Sequence, residues 1–263
     1  MREYIEDALN HRDDGYGRAQ KHVRQELPKR FYENASIAPV EGGYAVLLDG
    51  RPTKTPGNKT PVIVPTGPLA LAIAEEWAMQ GERLDPHKMP IIRLVNSAIE
   101  SGEGLVPEFQ AEVVRFASSD LLLYRADAPR ELVADQERLW DDALVRIARR
   151  FGVSFQPTIG IVFQEQPPAM LEKLRQVIAP EPLLPATALV TITSLTGSGL
   201  LALALRHGLV TADEAWTMAH VDEDHQAKLW GVDEEAANRR ARRRTEYDAA
   251  LRVLALLDEA KPN

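Results

Sequence analysis

The spacing of apolar residues changes abruptly after Val64, and this change limits the folds open to the chain. From Arg30 to Val64, short apolar runs alternate with turn sequences such as Asp49-Gly50, where both positions favour positive φ and a hairpin. From Thr66 onward, apolar residues recur at helical spacing. The pattern predicts an α+β fold: a small antiparallel β-rich N-terminal domain with a helix, followed by a mainly α-helical C-terminal domain. The predicted strands are residues 31–32, 44–48 and 62–64.

Helix signals begin directly after the strand region. Thr66 is placed to cap a helix whose first turn holds Pro68, and Gly81 supplies a stop. On this helix Ile73 and Trp77 share one face, which is expected to cover the sheet. Further helices are predicted over residues 91–100, 107–117, 130–151, 169–178, 198–207, 211–230 and 233–257. Residues 189–193 have the composition of a strand, and residues 153–164 are a second possible strand.

Proline placement suggests where the domains divide. Pro86 and Pro90 each disfavour helix at the preceding residue, so the boundary is expected after residue 88. Residues 1–27 are polar, contain few apolar anchors and are expected to form an N-terminal extension. The predicted division is therefore 1–27 as extension, 28–88 as the α+β domain and 89–263 as the helical domain.

Composition excludes several classes of function. With 31 Lys and Arg against 39 Asp and Glu, the net charge of -8 argues against a nucleic-acid partner. The chain has no cysteine, which rules out disulfides, thiolate nucleophiles and Cys-bearing zinc sites. No apolar run approaches the ~18 residues of a membrane span. The acidic N-terminus suits neither a secretory signal nor a mitochondrial presequence, so a cytoplasmic, bacterial protein is expected.

One glycine-rich turn has the form of a nucleotide site. Gly197-Ser198-Gly199, with Ala202, follows the predicted strand 189–193 and precedes an apolar helix, as in a dinucleotide-binding turn. A second strand ending in an acid should follow about 20 residues later, but a helical pattern occupies that place. Close helix packing explains the glycines better. A nucleotide-binding enzyme that uses this turn remains the alternative function.

Two charged clusters also have simpler structural explanations. His220 and Asp224 share a helix face, but a third ligand is lacking and His225 points elsewhere, so no metal site is predicted. The arginines from Arg239 to Arg244 are interleaved with acids at i,i+4 spacing, as on a solvated helix face. These acids are Glu235, Glu246 and Asp248, which are spaced to pair with Arg239, Arg242 and Arg244 respectively.

The predicted helix 211–230 places polar groups inside an apolar stripe. Trp216, Glu223 and Trp230 are spaced by seven, and Gln226 lies between the last two. A carboxylate in such a stripe must be paired, be neutralised, or remain available for a binding partner. Either an internal salt bridge satisfies it, or a docking protein does. Trp77 has the same ambiguity, because a tryptophan can be core or can anchor an interface.

Several segments in this order resemble a known family. The chain is similar to the assembly chaperones that act on the alpha subunit in the catalytic sector of F-type ATP synthase, the Atp-twelve family. The pairing of the sheet segment with Gln226 to Gly231 is the most specific feature, while Ala78 departs from the acid that often follows the family's tryptophan. The matching segments are RFYENASIAPVEGGYAVLLDGRPTKTP, EEWAMQGERLDPHKMPIIRLVNSAIE, SSDLLLYRAD, SLTGSGLLALAL and VDEDHQAKLWGVDEEA.

The resemblance implies a specific, non-enzymatic chaperone without cofactor. It would bind the unassembled alpha subunit and shield its beta-subunit interface until the beta subunit displaces it, acting as a monomer in the bacterial cytoplasm. Eukaryotic relatives would act in the mitochondrial matrix. A general holdase is a further possibility. The residues expected to contact the client are Asp222, Glu223, Gln226 and Trp230, and the loss of Trp77 is expected to disable the protein.

Overall fold

The computed structural model describes residues 27–259 and has the α+β architecture that the sequence predicts. A four-stranded antiparallel sheet contains β1 (Ala35–Val40), β2 (Gly43–Leu48), β3 (Arg51–Pro52) and β4 (Ile63–Val64). Asp49 and Gly50 turn the chain between β2 and β3 with φ of 47° and 75°, as a hairpin requires. The predicted strand at residues 31–32 is wrong. The first strand begins at Ala35, and Tyr32 instead buries its side chain outside the sheet.

The helices account for most of the remaining chain. They are α1 (Gly67–Ala78), α2 (Pro90–Ser101), α3 (Val106–Ser118), α4 (Arg130–Phe151), α5 (Pro168–Ile178), α6 (Leu183–Thr196), α7 (Gly199–Arg206), α8 (Ala212–Ala219), α9 (Val221–Trp230) and α10 (Glu234–Asp258). Thr66 caps α1 as predicted, because its Oγ1 accepts a hydrogen bond from the N–H of Leu69 at 3.3 Å. Leu69 and Ile73 on this helix are fully buried against the sheet.

Glu76 joins the sheet region to the helical region. Its buried carboxylate accepts hydrogen bonds from the N–H groups of Ile91 (2.9 Å) and Ile92 (2.8 Å), in the first turn of α2. Burial raises the pKa of Glu76, whereas these two hydrogen bonds act in the opposite direction. The hydrophobic core continues across the predicted boundary after residue 88. The division into domains at that point stays a prediction.

Residues 189–193 are helical, so the strand predicted there is wrong. They lie inside α6, which packs against α3, α7 and α10 and therefore has apolar contacts on several sides. The hydroxyls of Thr187 and Thr191 each donate to the carbonyl four residues earlier, at 2.8 Å. These bonds satisfy the hydroxyls of Thr187 and Thr191 within the helix, so these two β-branched residues are accommodated despite their strand propensity.

Two other elements differ from the predicted pattern. The helix expected over 211–230 is broken at His220, which separates α8 from α9. Of the possible strand 153–164, only β6 (Thr158–Ile159) forms, and it pairs in parallel with β5 (Tyr124–Arg125). The predicted extension, residues 1–27, lies outside the described residues except for Leu27. Within residues 27–259, no helix is long and apolar enough to cross a membrane.

Candidate functional site

The outward surface of α9 carries four of the five residues that the sequence analysis selected. Asp222, Glu223, Gln226 and Trp230 are all exposed, and Leu229 joins them. We call these five residues the α9 face. Trp230 is 87% exposed, which is unusual for a tryptophan in a folded protein. Spacings of three and four residues place Glu223, Gln226 and Trp230 along one side of the helix.

The break at His220 explains why this face is exposed. The backbone leaves helical geometry there (φ −123°, ψ 17°), and the His220 Nδ1–H donates to the carbonyl of Trp216 at 2.7 Å. Trp216 remains buried, whereas Glu223 and Trp230 lie at the surface. The single apolar stripe predicted over these three residues is therefore wrong. Burial lowers the pKa of His220, which favours the neutral ring.

Carboxylates occupy one end of the α9 face and apolar side chains the other. Asp222, Glu223 and Asp224 lie in the first turn of α9, where the helix dipole favours negative charge. Asp222 accepts a hydrogen bond from Nε2 of the buried Gln136 at 2.8 Å, and Asp224 pairs with Arg240. The face therefore combines fixed negative charge with an exposed indole.

Trp77 lies on α1, in the sheet region, and is not part of the α9 face. Its half-buried ring meets the Tyr32 ring edge to face, with the centroids 5.5 Å apart. The Tyr32 hydroxyl donates to the Trp77 carbonyl at 2.7 Å. Phe31, Tyr32, Arg51 and Trp77 are among the residues that line an open cleft of about 550 Å³. The indole N–H is buried without a hydrogen-bond partner among the described residues, so packing contacts hold this ring in place.

The Gly197-Ser198-Gly199 turn binds a carboxylate of the chain itself. Asp120 is fully buried and accepts hydrogen bonds from the Ser198 hydroxyl (2.7 Å) and the Leu200 N–H (2.9 Å) at the N-terminus of α7. A Cβ at Gly199 would lie 2.1 Å from the carbonyl oxygen of Val113, so this glycine is required by close helix packing. The preceding segment is helix, and the nucleotide-binding alternative is therefore wrong.

The pKa of Asp120 should lie well above that of an ordinary aspartate. Burial raises its pKa to about 6, against 3.8 for an unperturbed side chain, although its hydrogen bonds lower it. A raised folded-state pKa contributes stability that is complete below the unfolded-state pKa and disappears as the pH rises through the folded one. The Asp120 contribution to the free energy of unfolding should fall by roughly 3 kcal/mol between about pH 4 and pH 7. Carboxyl NMR titration should give a midpoint near 6; a midpoint near 4 would contradict this.

The remaining charged clusters are structural. Within residues 27–259, no group of three or more His, Asp or Glu side chains is placed to hold a metal ion. In the arginine run, Arg239 pairs with Glu235 at 2.6 Å, and Arg244 pairs with Asp248 at 2.8 Å, as the spacing predicts. The spacing predicts that Glu246 pairs with Arg242, but Glu246 has another partner in the structure. Glu246 instead contacts Arg93 on α2 at 3.0 Å.

Sequence reasoning missed an exposed apolar segment between α4 and α5. Ile159, Ile161, Val162 and Phe163 all project into solvent, and we call these four residues the apolar loop. Four apolar residues within five positions favour a strand when only the sequence is considered. The available signal was Gly160, whose φ of 82° interrupts strand geometry.

Comparison with known proteins gives one consistent result. A family model described as "ATP12 chaperone protein" matches residues 29–148. Protein atp12, mitochondrial, of Schizosaccharomyces pombe is 24% identical over 220 residues, which cover 79% of this chain and 75% of the yeast protein.

Two crystal structures share both fold and sequence with the chain. The Atu1473 protein of Agrobacterium tumefaciens is 40% identical, with a TM-score of 0.85 over 97% of this chain and 98% of its own. Atp12 from Paracoccus denitrificans is also 40% identical, with a TM-score of 0.78 over 87% of this chain and 98% of its own.

Proposed function

Because the chain belongs to the ATP12 chaperone family, and is a chaperone rather than an enzyme, we propose that it serves assembly of the ATP synthase catalytic sector. Its client in this proposal is the unassembled alpha subunit, which it binds in the bacterial cytoplasm. It covers the alpha-subunit surface that later contacts the beta subunit. The chaperone itself works as a monomer.

The observation that carries the proposal is the α9 face. An indole that is 87% exposed costs free energy in water, and aromatic residues beside charges are characteristic of protein interfaces. The carboxylates of Asp222 and Glu223 would select a client surface that carries a basic side chain. Trp230 would provide the buried anchor of the contact.

Release requires no chemical step under this proposal. The chaperone and the beta subunit bind overlapping surfaces of the alpha subunit, and the tighter partner displaces the weaker. While bound, the chaperone keeps the apolar interface of the alpha subunit from aggregating. Nucleotide hydrolysis by the chaperone therefore has no role in this cycle.

Replacing Glu223 with glutamine should weaken capture of the alpha subunit without affecting folding. The change keeps the shape of an exposed side chain and removes one charge, so we expect about fivefold weaker binding. Glu108→Gln is a matched control, because Glu108 is also exposed in the first turn of a helix, α3. Binding of purified alpha subunit measures both variants. Equal affinity of Glu223→Gln and wild type would remove Glu223 from the site.

Competition separates a specific chaperone from a general holdase. The complex of tagged chaperone and alpha subunit should release the alpha subunit when purified beta subunit is added. A general holdase would instead suppress aggregation of unrelated unfolded proteins equally well. A chaperone that fails to retain the alpha subunit, or that retains it in the presence of excess beta subunit, contradicts the proposed function.

A further inference from the structure

The apolar loop is an exposed surface that the fold does not use internally. Ile161 is 97% exposed and Val162 is 75% exposed, and Ile159 and Phe163 are also largely in solvent. Single exposed apolar residues are common, but a contiguous group of this kind marks an interaction site. A binding partner would remove all four side chains from water.

Hydrogen bonds at its base hold the apolar loop in this exposed position. The buried Gln166 accepts from the Gln156 N–H through Oε1 and donates to the Gln156 carbonyl through Nε2, both at 2.9 Å. The Gly160 N–H donates to the carbonyl of Arg125 at 2.8 Å. These contacts fix both ends of the loop, so the loop would lose little conformational entropy when a partner binds.

A short chain of hydrogen bonds connects the apolar loop to the α9 face. Gly160 contacts Arg125, and the next residue, Ala126, donates its N–H to Oε1 of Gln136 at 2.8 Å. Nε2 of the same Gln136 side chain donates to Asp222 at 2.8 Å. Gln136 is almost fully buried, so it links the two surfaces from beneath. The apolar loop and the acidic end of the α9 face therefore lie close together on the molecule.

We propose that the apolar loop and the α9 face form one continuous surface for a single client, the unassembled alpha subunit. The client region that fits it is an apolar patch with a basic side chain positioned against Asp222 and Glu223. This inference rests on the proposed function, because it extends the client-binding site from one helix to a second segment. It assigns the apolar loop a role in client affinity.

The test compares serine substitutions in the apolar loop with a serine substitution at an exposed valine elsewhere. Val162→Ser lies in the apolar loop, and Val145→Ser lies on α4, where the side chain is 44% exposed. The double variant Ile161→Ser/Val162→Ser enlarges the effect at two exposed positions, so folding should be retained. Affinity for purified alpha subunit should fall at least about tenfold in the double variant and less than about twofold in Val145→Ser.

Each other outcome overturns the proposal in a distinguishable way. If the double variant binds like wild type while Glu223→Gln binds more weakly, the proposed function stands and the apolar loop has no part in it. If the loop substitutions change only self-association in sedimentation, a second copy of the chain covers this surface instead. If wild type captures no alpha subunit, this inference and the proposed function fail together.

Discussion

Replacing Trp77 with arginine should lower the free energy of unfolding by about 3–5 kcal/mol. The ring packs against Tyr32 and the hydrophobic core, and a guanidinium could keep its hydration only by leaving that position. The aromatic contact and the filled space at the end of α1 would both be lost. Urea unfolding monitored by circular dichroism measures the change.

Trp77→Phe separates packing from client recognition. The indole N–H has no partner among the described residues, so phenylalanine sacrifices no internal hydrogen bond and should cost only about 1 kcal/mol. If the indole contacts the client, this variant should fold normally and bind the alpha subunit more weakly. Normal stability and normal client binding in Trp77→Arg would show that Trp77 is neither core nor site.

Replacing Asp120 with alanine should cost a similar amount, about 3–5 kcal/mol. The substitution removes an acceptor from the Ser198 hydroxyl and from the N–H groups of Leu200 and Leu122, all buried away from water. Each donor then loses its hydrogen bond without gaining one from solvent. The midpoint of chemical denaturation should fall accordingly.

Asp233→Ala provides the matched control for this change. Asp233 also accepts hydrogen bonds at a helix N-terminus, from the N–H groups of Glu235 and Ala236, but it is exposed. Water can replace its carboxylate, so the expected loss is only about 1 kcal/mol. Equal effects of the two substitutions would mean that burial of the Asp120 site contributes little.

The parts of the fold that the sequence predicted well are those with a single strong local signal. Residues 130–151 show one apolar face and end at Gly152, and the helix has these bounds in the structure. The Thr66 cap and the Asp49-Gly50 turn were also predicted from local chemistry alone. Where one element buries one face, periodicity identifies both the element and its orientation.

Tertiary contacts decided the elements that were predicted wrongly. Residues 189–193 lie in a helix surrounded by others, where apolar residues on all sides erase the helical period. At the break, the His220 imidazole contacts the Trp216 carbonyl, and helix propensity encodes neither the break nor this contact. The exposed positions of Glu223 and Trp230 follow from that break, so the sequence could select these residues but could not place them.

Asp120 shows a different limit of sequence reasoning. Nothing near residue 120 in the sequence indicates that its carboxylate reaches the turn at residues 197–199. The glycine pattern alone resembles a phosphate site, because an anion at a helix N-terminus is expected in either case. Here the anion is part of the chain, and only the three-dimensional fold distinguishes the two.

The packing of α10 limits how early during synthesis the protein can fold. The Thr66 hydroxyl donates to the carbonyl of Leu256 at 3.1 Å, across 190 positions of sequence, and α10 packs on α1, α2 and α6. Helix α1 therefore cannot complete its core until α10 has left the ribosome. Until α10 is available, the nascent chaperone exposes the kind of apolar surface that it is proposed to shield on its client.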